Sequence, residues 1–186
     1  MSRIVLISIS LFLLLACTES SGHRDSVPVS GPESTPKQEP ANLAAHANLQ
    51  NAQPSELCNH LADIRKLPYR DPSDTDPIYE ALIAKGEQTY TCLIDKITDT
   101  TEMPDPREAP PWQHYVVGDT AVFILVRSIG GKDDLAREQL LIDMLPFKYR
   151  DEWETNGIYA YFNYVSDPKN RRELQRWWRK KVETLK

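Results

Sequence analysis

The side chains that most often carry out chemistry in proteins are scarce in this sequence, and their spacing fits no catalytic mechanism. After residue 54 the sequence contains two histidines, His60 and His114. A zinc site usually needs three or four converging His, Cys or carboxylate ligands, and neither an HExxH motif nor closely paired cysteines occur. No serine lies in a GxSxG motif, which argues against the simplest hydrolases. We therefore predict a non-catalytic protein without a metal or other cofactor, in which both histidines are surface or packing residues.

Two groups of acidic residues could form a site. Asp71, Asp74 and Asp76 lie close together in DPSDTDP, as in a calcium loop, but the Gly and the distal Glu of such a loop are missing. Asp95 and Asp99 are four residues apart and could share one helical face as paired carboxylates. Turn, cap and helix-end roles are commoner for acids in such positions, and we expect those roles here.

A proline-rich segment with aromatic residues is the first candidate binding surface. Residues 101–115 read TEMPDPREAPPWQHY and contain four prolines. Prolines reduce the entropy lost on binding, and Trp and Tyr are enriched at binding hot spots. Trp112 and Tyr115 are therefore predicted to contact a partner. The alternative is a stiff loop whose Trp packs back onto the domain.

The last 20 residues form the second candidate surface because their charge is opposite to that of the rest. Residues 167–186 carry eight Lys/Arg against three Asp/Glu, whereas residues 1–166 carry 14 Lys/Arg against 24 Asp/Glu. An apolar stripe at helical spacing predicts a terminal helix that docks through Leu174, Trp177 and Trp178. Four arginines are the predicted partner-binding residues: Arg171, Arg172, Arg176 and Arg179. They could face anionic headgroups, peptidoglycan carboxylates or an acidic protein, or simply be solvated.

Composition limits the classes of protein to which the chain can belong. Its 186 residues have room for one domain or a domain with a tail, with 26% charged and 40% hydrophobic residues, as in soluble proteins. The formal net charge of -5 disfavours nucleic-acid binding, which needs a basic surface.

The first residues predict an export signal. Residues 4–15 (IVLISISLFLLL) are almost entirely apolar, but as a helix they span only about 18 Å, less than a hydrocarbon core of about 30 Å. Leu14-Leu15-Ala16-Cys17 then resembles the lipobox of bacterial lipoproteins. That resemblance implies a signal peptide over residues 1–16, a lipid on Cys17 and, since Thr18 is not Asp, an outer-membrane location facing the periplasm. The alternative is an ordinary secretory signal that happens to contain a cysteine.

The domain organisation follows from where the aromatic residues lie. Between residues 18 and 54 there are five prolines and no aromatic residue, so residues 17–54 are predicted to be the lipidated Cys and a disordered tether. All four tryptophans lie downstream, which places the folded domain at residues 55–186.

Within that domain the apolar residues recur at helical spacing, which predicts an all-α fold, a small irregular helical bundle. Residues 116–129 could also form a hairpin, because Val116-Val117-Gly118-Asp119-Thr120 fits a turn between strands; we prefer a helix that Asp119 caps and Gly130-Gly131 ends. The run from Ile78 to Gly130 resembles one HEAT-like helical repeat, with Ala81-Leu82, Gly86, Leu93-Ile94, Asp99 and Gly118-Asp119 in the expected order. The resemblance implies the order helix, small-residue turn, helix, Asp, loop and helix, and a single unit of this kind needs neighbours to bury its faces.

Cys58 and Cys92 remain once the lipid-bearing Cys17 is set aside. In an oxidising compartment such a pair predicts a disulfide, and closing a loop of this length is worth about 3.8 kcal/mol in the chain-entropy model. The alternative is a pair of buried thiols on separate helices.

Together these features predict an envelope lipoprotein that acts as a non-catalytic binding or inhibitor module for another envelope protein, with an immunity-type inhibitor of an antibacterial toxin as one concrete version. The alternative is a structural or assembly lipoprotein that contacts peptidoglycan through the basic C-terminal helix. In both cases the membrane is reached through the lipid, and no nucleic acid is bound.

Overall fold

The computed structural model of this protein describes residues 48–68, 76–107 and 112–185. Within these ranges the chain is helical, with isolated bridges but no β-strand, so the all-α prediction is confirmed. The α-helices are α1 (Pro54–Asn59), α2 (Pro77–Lys85), α3 (Tyr90–Lys96), α4 (Val117–Gly130), α5 (Asp134–Asp143), α6 (Phe147–Asn156), α7 (Tyr159–Val165) and α8 (Pro168–Glu183). Two 3-10 helices, Leu61–Asp63 and Gly86–Thr89, link the first three.

Two helices begin with an aspartate followed by a proline, as the sequence predicts. Asp76 Oδ1 accepts a hydrogen bond from the Ile78 amide at 2.9 Å, and Asp167 Oδ1 accepts one from the Lys169 amide at 2.8 Å. The proline at the first helical position has no N–H that needs a partner, so this order favours a helix start. Gly86 ends α2 with a φ of 53°, a conformation that side-chain-bearing residues rarely adopt.

Residues 117–130 form α4, and the hairpin alternative is wrong. The helix starts two residues before the predicted cap, so Asp119 lies in its first turn and its Oδ2 accepts the Val116 amide at 3.1 Å. The apolar run at residues 121–126 suits α4 because α2, α3 and α5 pack against this helix. Its buried side chains include Val122, Ile124 and Leu125.

The core extends from α4 to both ends of the described chain. Trp178 on α8 and Tyr161 and Phe162 on α7 are among its largest fully buried side chains. Upstream of α1, Leu49 and Ala52 already pack against it. The last two helices therefore complete a core that the first helices begin.

The predicted disulfide between Cys58 and Cys92 is present and joins α1 to α3. The two Cα atoms are 6.1 Å apart, within the range that a disulfide spans without backbone movement. The bond crosses a sequence separation of 34 residues, so it fixes the first helices of the bundle against each other.

Candidate functional site

Trp112 and Tyr115, the two aromatic residues of the proline-rich segment, lie against the bundle. The Trp112 ring is stacked on Phe162 with centroids 4.9 Å apart, and its centroid is 5.9 Å from that of Tyr159. Tyr115 is fully buried. The prediction that Tyr115 contacts a partner is therefore wrong, because Tyr115 is a core residue. Trp112 is half-buried and packs on the core, and its contact with a partner stays a prediction. The alternative given above, a Trp that packs back onto the domain, is the one that the structure supports.

Arg107 and Asp105 contribute to the packing of Trp112 against the bundle. Arg107 donates two hydrogen bonds to Asp105, at 3.0 and 2.6 Å, and Asp105 also accepts the Trp112 amide at 2.8 Å. The Arg107 guanidinium lies 4.5 Å from the Phe162 ring centroid and 5.0 Å from that of Phe123. Cation–π contacts of this kind strengthen when they are shielded from water, so the charge pair and the rings hold Asp105, Arg107 and Trp112 against the bundle.

Arg171 is 5% exposed and points into the bundle, so the prediction that it binds a partner is wrong. Its Nη2 lies 3.0 Å from Oδ1 of the fully buried Asp119, and the Tyr161 hydroxyl donates to the same oxygen at 2.8 Å. Burial raises the pKa of Asp119 above its ordinary value, while the Arg171 charge and the Tyr161 hydrogen bond act in the opposite direction. A cation held in this way cannot reach a partner.

Close backbone packing surrounds this ion pair. The Gly118 amide donates to the Asp99 carbonyl oxygen at 2.9 Å, which brings the start of α4 against the end of α3. A Cβ at Gly118 would collide with the Ile97 carbonyl oxygen and lie 3.0 Å from Arg171 Nη1. Glycine is required here because of the close approach.

Three of the four predicted arginines on α8 are exposed and form a cationic face. Arg172, Arg176 and Arg179 lie on the outer side of the helix together with Lys180. Arg179 pairs with the exposed Asp95 at 2.9 Å, and Arg176 lies 3.9 Å from Glu173. Exposed pairs of this kind contribute little to stability and exchange readily. The face is bordered by the half-exposed Trp177, whose ring packs edge-on against Trp178.

A cavity of about 510 Å³ lies on another part of the bundle. The helices α2, α4, α5 and α6 supply most of its walls. Its apolar lining includes Phe123, Leu141, Trp153 and Ile158. Its polar lining comprises Tyr79, Arg107, Arg127, Asp134, Arg137 and Glu138. None of these positions forms a motif in the sequence; the only available signal is that Arg127 and Arg137 flank the short turn between α4 and α5.

Both histidines of the domain lie at exposed positions. His60 Nδ1 lies 2.9 Å from Asp63 Oδ2 at an exposed position, and His114 is exposed. Asp95 and Asp99 do not form a carboxylate pair, because Asp95 binds Arg179 and Asp99 Oδ1 accepts the Thr101 amide at 3.1 Å.

Of the three acids in DPSDTDP, the described one, Asp76, caps α2, while Asp71 and Asp74 lie outside the described residues. Within the described ranges no group of three or more His, Cys, Asp or Glu residues is arranged to hold a metal ion.

The predicted signal peptide and Cys17 also lie outside the described residues. In the part of the chain that the structure describes, no helix has both the length and the apolar character needed to cross a membrane.

Comparisons with protein-family models, with curated proteins and with solved structures find no match to this chain. Its function has to be inferred from the exposure, charge and contacts of its own residues.

Proposed function

We propose that this protein is a lipid-anchored protein of the bacterial cell envelope that acts as a non-catalytic binding module for an acidic envelope protein. In the proposal Cys17 carries the lipid, the domain faces the periplasm from the outer membrane, and the partner binds the cationic face of α8. The inhibitor version described above is one form of this proposal.

The observation that carries the proposal is the combination of exposed arginines with a half-exposed tryptophan on one rigid helix. Arg172, Arg176 and Arg179 are exposed, and Trp177 borders them. Arginine and tryptophan are the residue types most enriched at protein–protein hot spots. The buried Leu174 and Trp178 hold the helix in place, so a partner meets a surface that is already ordered.

Charge reversal on the cationic face tests the proposal. The double variant R172E/R176E is compared with K132E/K148E, which changes the net charge equally at exposed lysines outside α8. After affinity purification of the lipidated protein from its own envelope, the partner identified with the wild type should be lost with R172E/R176E and retained with K132E/K148E. Equal recovery with both variants would exclude the face as the binding surface.

The lipid itself requires a separate test. Cys17→Ser should remove the mass of the attached acyl groups from the purified chain and release the protein from the membrane fraction. A wild-type chain that keeps its first methionine and carries no acyl mass would refute the envelope setting, whatever the partner experiment shows.

A second candidate function, contact with peptidoglycan through the same face, is favoured by the excess of positive charge on α8. Peptidoglycan offers carboxylates without a pocket for an aromatic ring. Sedimentation with purified cell wall should then fall with R172E/R176E and with rising salt, but be unaffected by Trp177→Ala. Capture of an acidic protein partner should instead weaken with Trp177→Ala as well.

A further inference from the structure

The cavity between α2, α4, α5 and α6 is the feature that neither the proposed function nor the ion pairs of the core explain. Its volume of about 510 Å³ lies in the range of small-molecule sites, roughly 300–1,000 Å³. Most of its wall is apolar and includes two aromatic rings, those of Phe123 and Trp153. Such a lining favours a ligand with an apolar part. The polar residues determine which polar group that ligand carries.

The polar residues place positive charge at one part of the wall. Tyr79, Arg127 and Arg137 all line the cavity, and both arginines lie close enough to act electrostatically on the Tyr79 hydroxyl. Tyr79 itself is only 6% exposed. Two guanidinium groups and one hydroxyl therefore converge on the same part of the cavity.

The other charges of the cavity are already used within the protein. Arg107 is held by Asp105, and Arg137 pairs with Asp134 and donates to the Gly131 carbonyl oxygen at 2.7 Å. Glu138 Oε1 accepts the Trp153 indole N–H at 3.4 Å. Among the residues that the structure describes, no carboxylate pairs with Arg127. Its guanidinium is therefore available to an anion inside the cavity.

We propose that this cavity binds a small apolar molecule that carries one carboxylate, with the carboxylate at Arg127 and Tyr79 and the apolar part against Leu141, Trp153 and Ile158. A planar guanidinium can hold a carboxylate through two parallel hydrogen bonds. The Tyr79 hydroxyl lies beside that position and can donate a third hydrogen bond. This site shares no residue with the cationic face of α8, so it stands independently of the proposed function.

The test compares an acid with its uncharged analogue on the full chain. Phenylbutyrate and phenylbutanol have the same ring and chain length but differ in the terminal group, and calorimetric titration measures both. We expect the wild type to bind phenylbutyrate at least tenfold more tightly than phenylbutanol, because hydrogen bonds to charged groups contribute roughly ten- to hundredfold in affinity.

Variants of single residues show which side chain binds the carboxylate of the ligand. Arg127→Gln should weaken phenylbutyrate binding about ten- to hundredfold and leave phenylbutanol within about twofold. Tyr79→Phe should produce a smaller loss of the same kind. Lys169→Gln, at an exposed position outside both the cavity lining and the cationic face, is the control and should change neither affinity. Leu141→Trp should fill the cavity and abolish binding of both compounds, with melting curves confirming that each variant is folded.

Three results would overturn the proposal. They are the absence of saturable phenylbutyrate binding to the wild type at millimolar concentration, equal affinities for acid and alcohol, and unchanged phenylbutyrate binding by a folded Arg127→Gln or Leu141→Trp variant.

Discussion

Arg171 and Arg172 are neighbours on α8 with opposite surroundings, so their removal should have very different effects on stability. The Arg171 side chain is 6% exposed and faces an Asp119 side chain with no exposure, whereas Arg172 is exposed. Breaking a buried ion pair by removing one partner costs about 3–5 kcal/mol because a charge is left buried and uncompensated. An exposed substitution usually changes stability by no more than about 0.5 kcal/mol.

The contacts that remain around Asp119 after Arg171 is replaced narrow the expected loss of stability. In Arg171→Met, Asp119 keeps its hydrogen bonds from the Tyr161 hydroxyl and the Val116 amide, which favours the lower half of the range. The Asp119 carboxylate can also be neutralised by taking up a proton, which at pH 7 costs about 4 kcal/mol for an ordinary aspartate. We therefore expect Arg171→Met to lower the free energy of unfolding by about 3–4 kcal/mol at pH 7.

The pH dependence of the loss provides a second measurement. In the variant, the folded state holds a proton on Asp119 that the unfolded chain has released above its ordinary pKa. Stability then falls as pH rises, so the loss relative to wild type should shrink as pH is lowered from 7 to 5, by at most about 1.4 kcal/mol for each pH unit. Urea unfolding followed by circular dichroism at pH 5, 6 and 7 measures this for Arg171→Met, with Arg172→Met as the control.

Equal stabilities of the two methionine variants would refute the assignment of Arg171 to the interior. A loss that stays constant between pH 5 and 7 would refute the uncompensated carboxylate as its cause.

Three further predictions concern other parts of the bundle. Gly118→Ala should lower the free energy of unfolding by about 1–3 kcal/mol in urea titrations, since the new methyl group overpacks the contact with α3. Burial raises the pKa of Tyr164 to about 12 and that of Tyr161 well above its ordinary value. Because the folded state then keeps protons that the unfolded chain releases near pH 10, stability should fall as pH rises from about 10 to 12, with tyrosinate absorbance appearing as the protein unfolds. Replacing Cys58 and Cys92 together by serine should lower the free energy of unfolding by about 2–5 kcal/mol, with no effect of reductant on the double variant.

Local signals in the sequence were sufficient to locate two of the helix starts. The order Asp-Pro at residues 76–77 and 167–168 predicted two helix starts correctly, because cap chemistry depends only on neighbouring residues. The disulfide also followed from counting cysteines. The resemblance to a HEAT-like repeat remains a prediction.

Residue type alone could not separate buried anchors from exposed contacts. Tyr115 and Arg171 belong to types that are frequent at interfaces, yet both are buried. For Arg171 a signal was present, because it lies three residues before Leu174 and seven before Trp178, on the same stripe of α8. For Tyr115 no local pattern identifies Phe162 and Phe123 as neighbours, since those contacts depend on how distant segments fold together.

The ion pair at the centre of the bundle also determines when the domain can finish folding during synthesis. Asp119 meets its cation only after α8 has formed, and Gln175 on that helix donates to the Ile94 carbonyl oxygen across 81 residues of chain. While α8 is still inside the ribosome, an emerging chain has an unfilled space where Trp178 belongs and an aspartate without its counter-ion. The bundle therefore cannot become native before α8 itself has been translated.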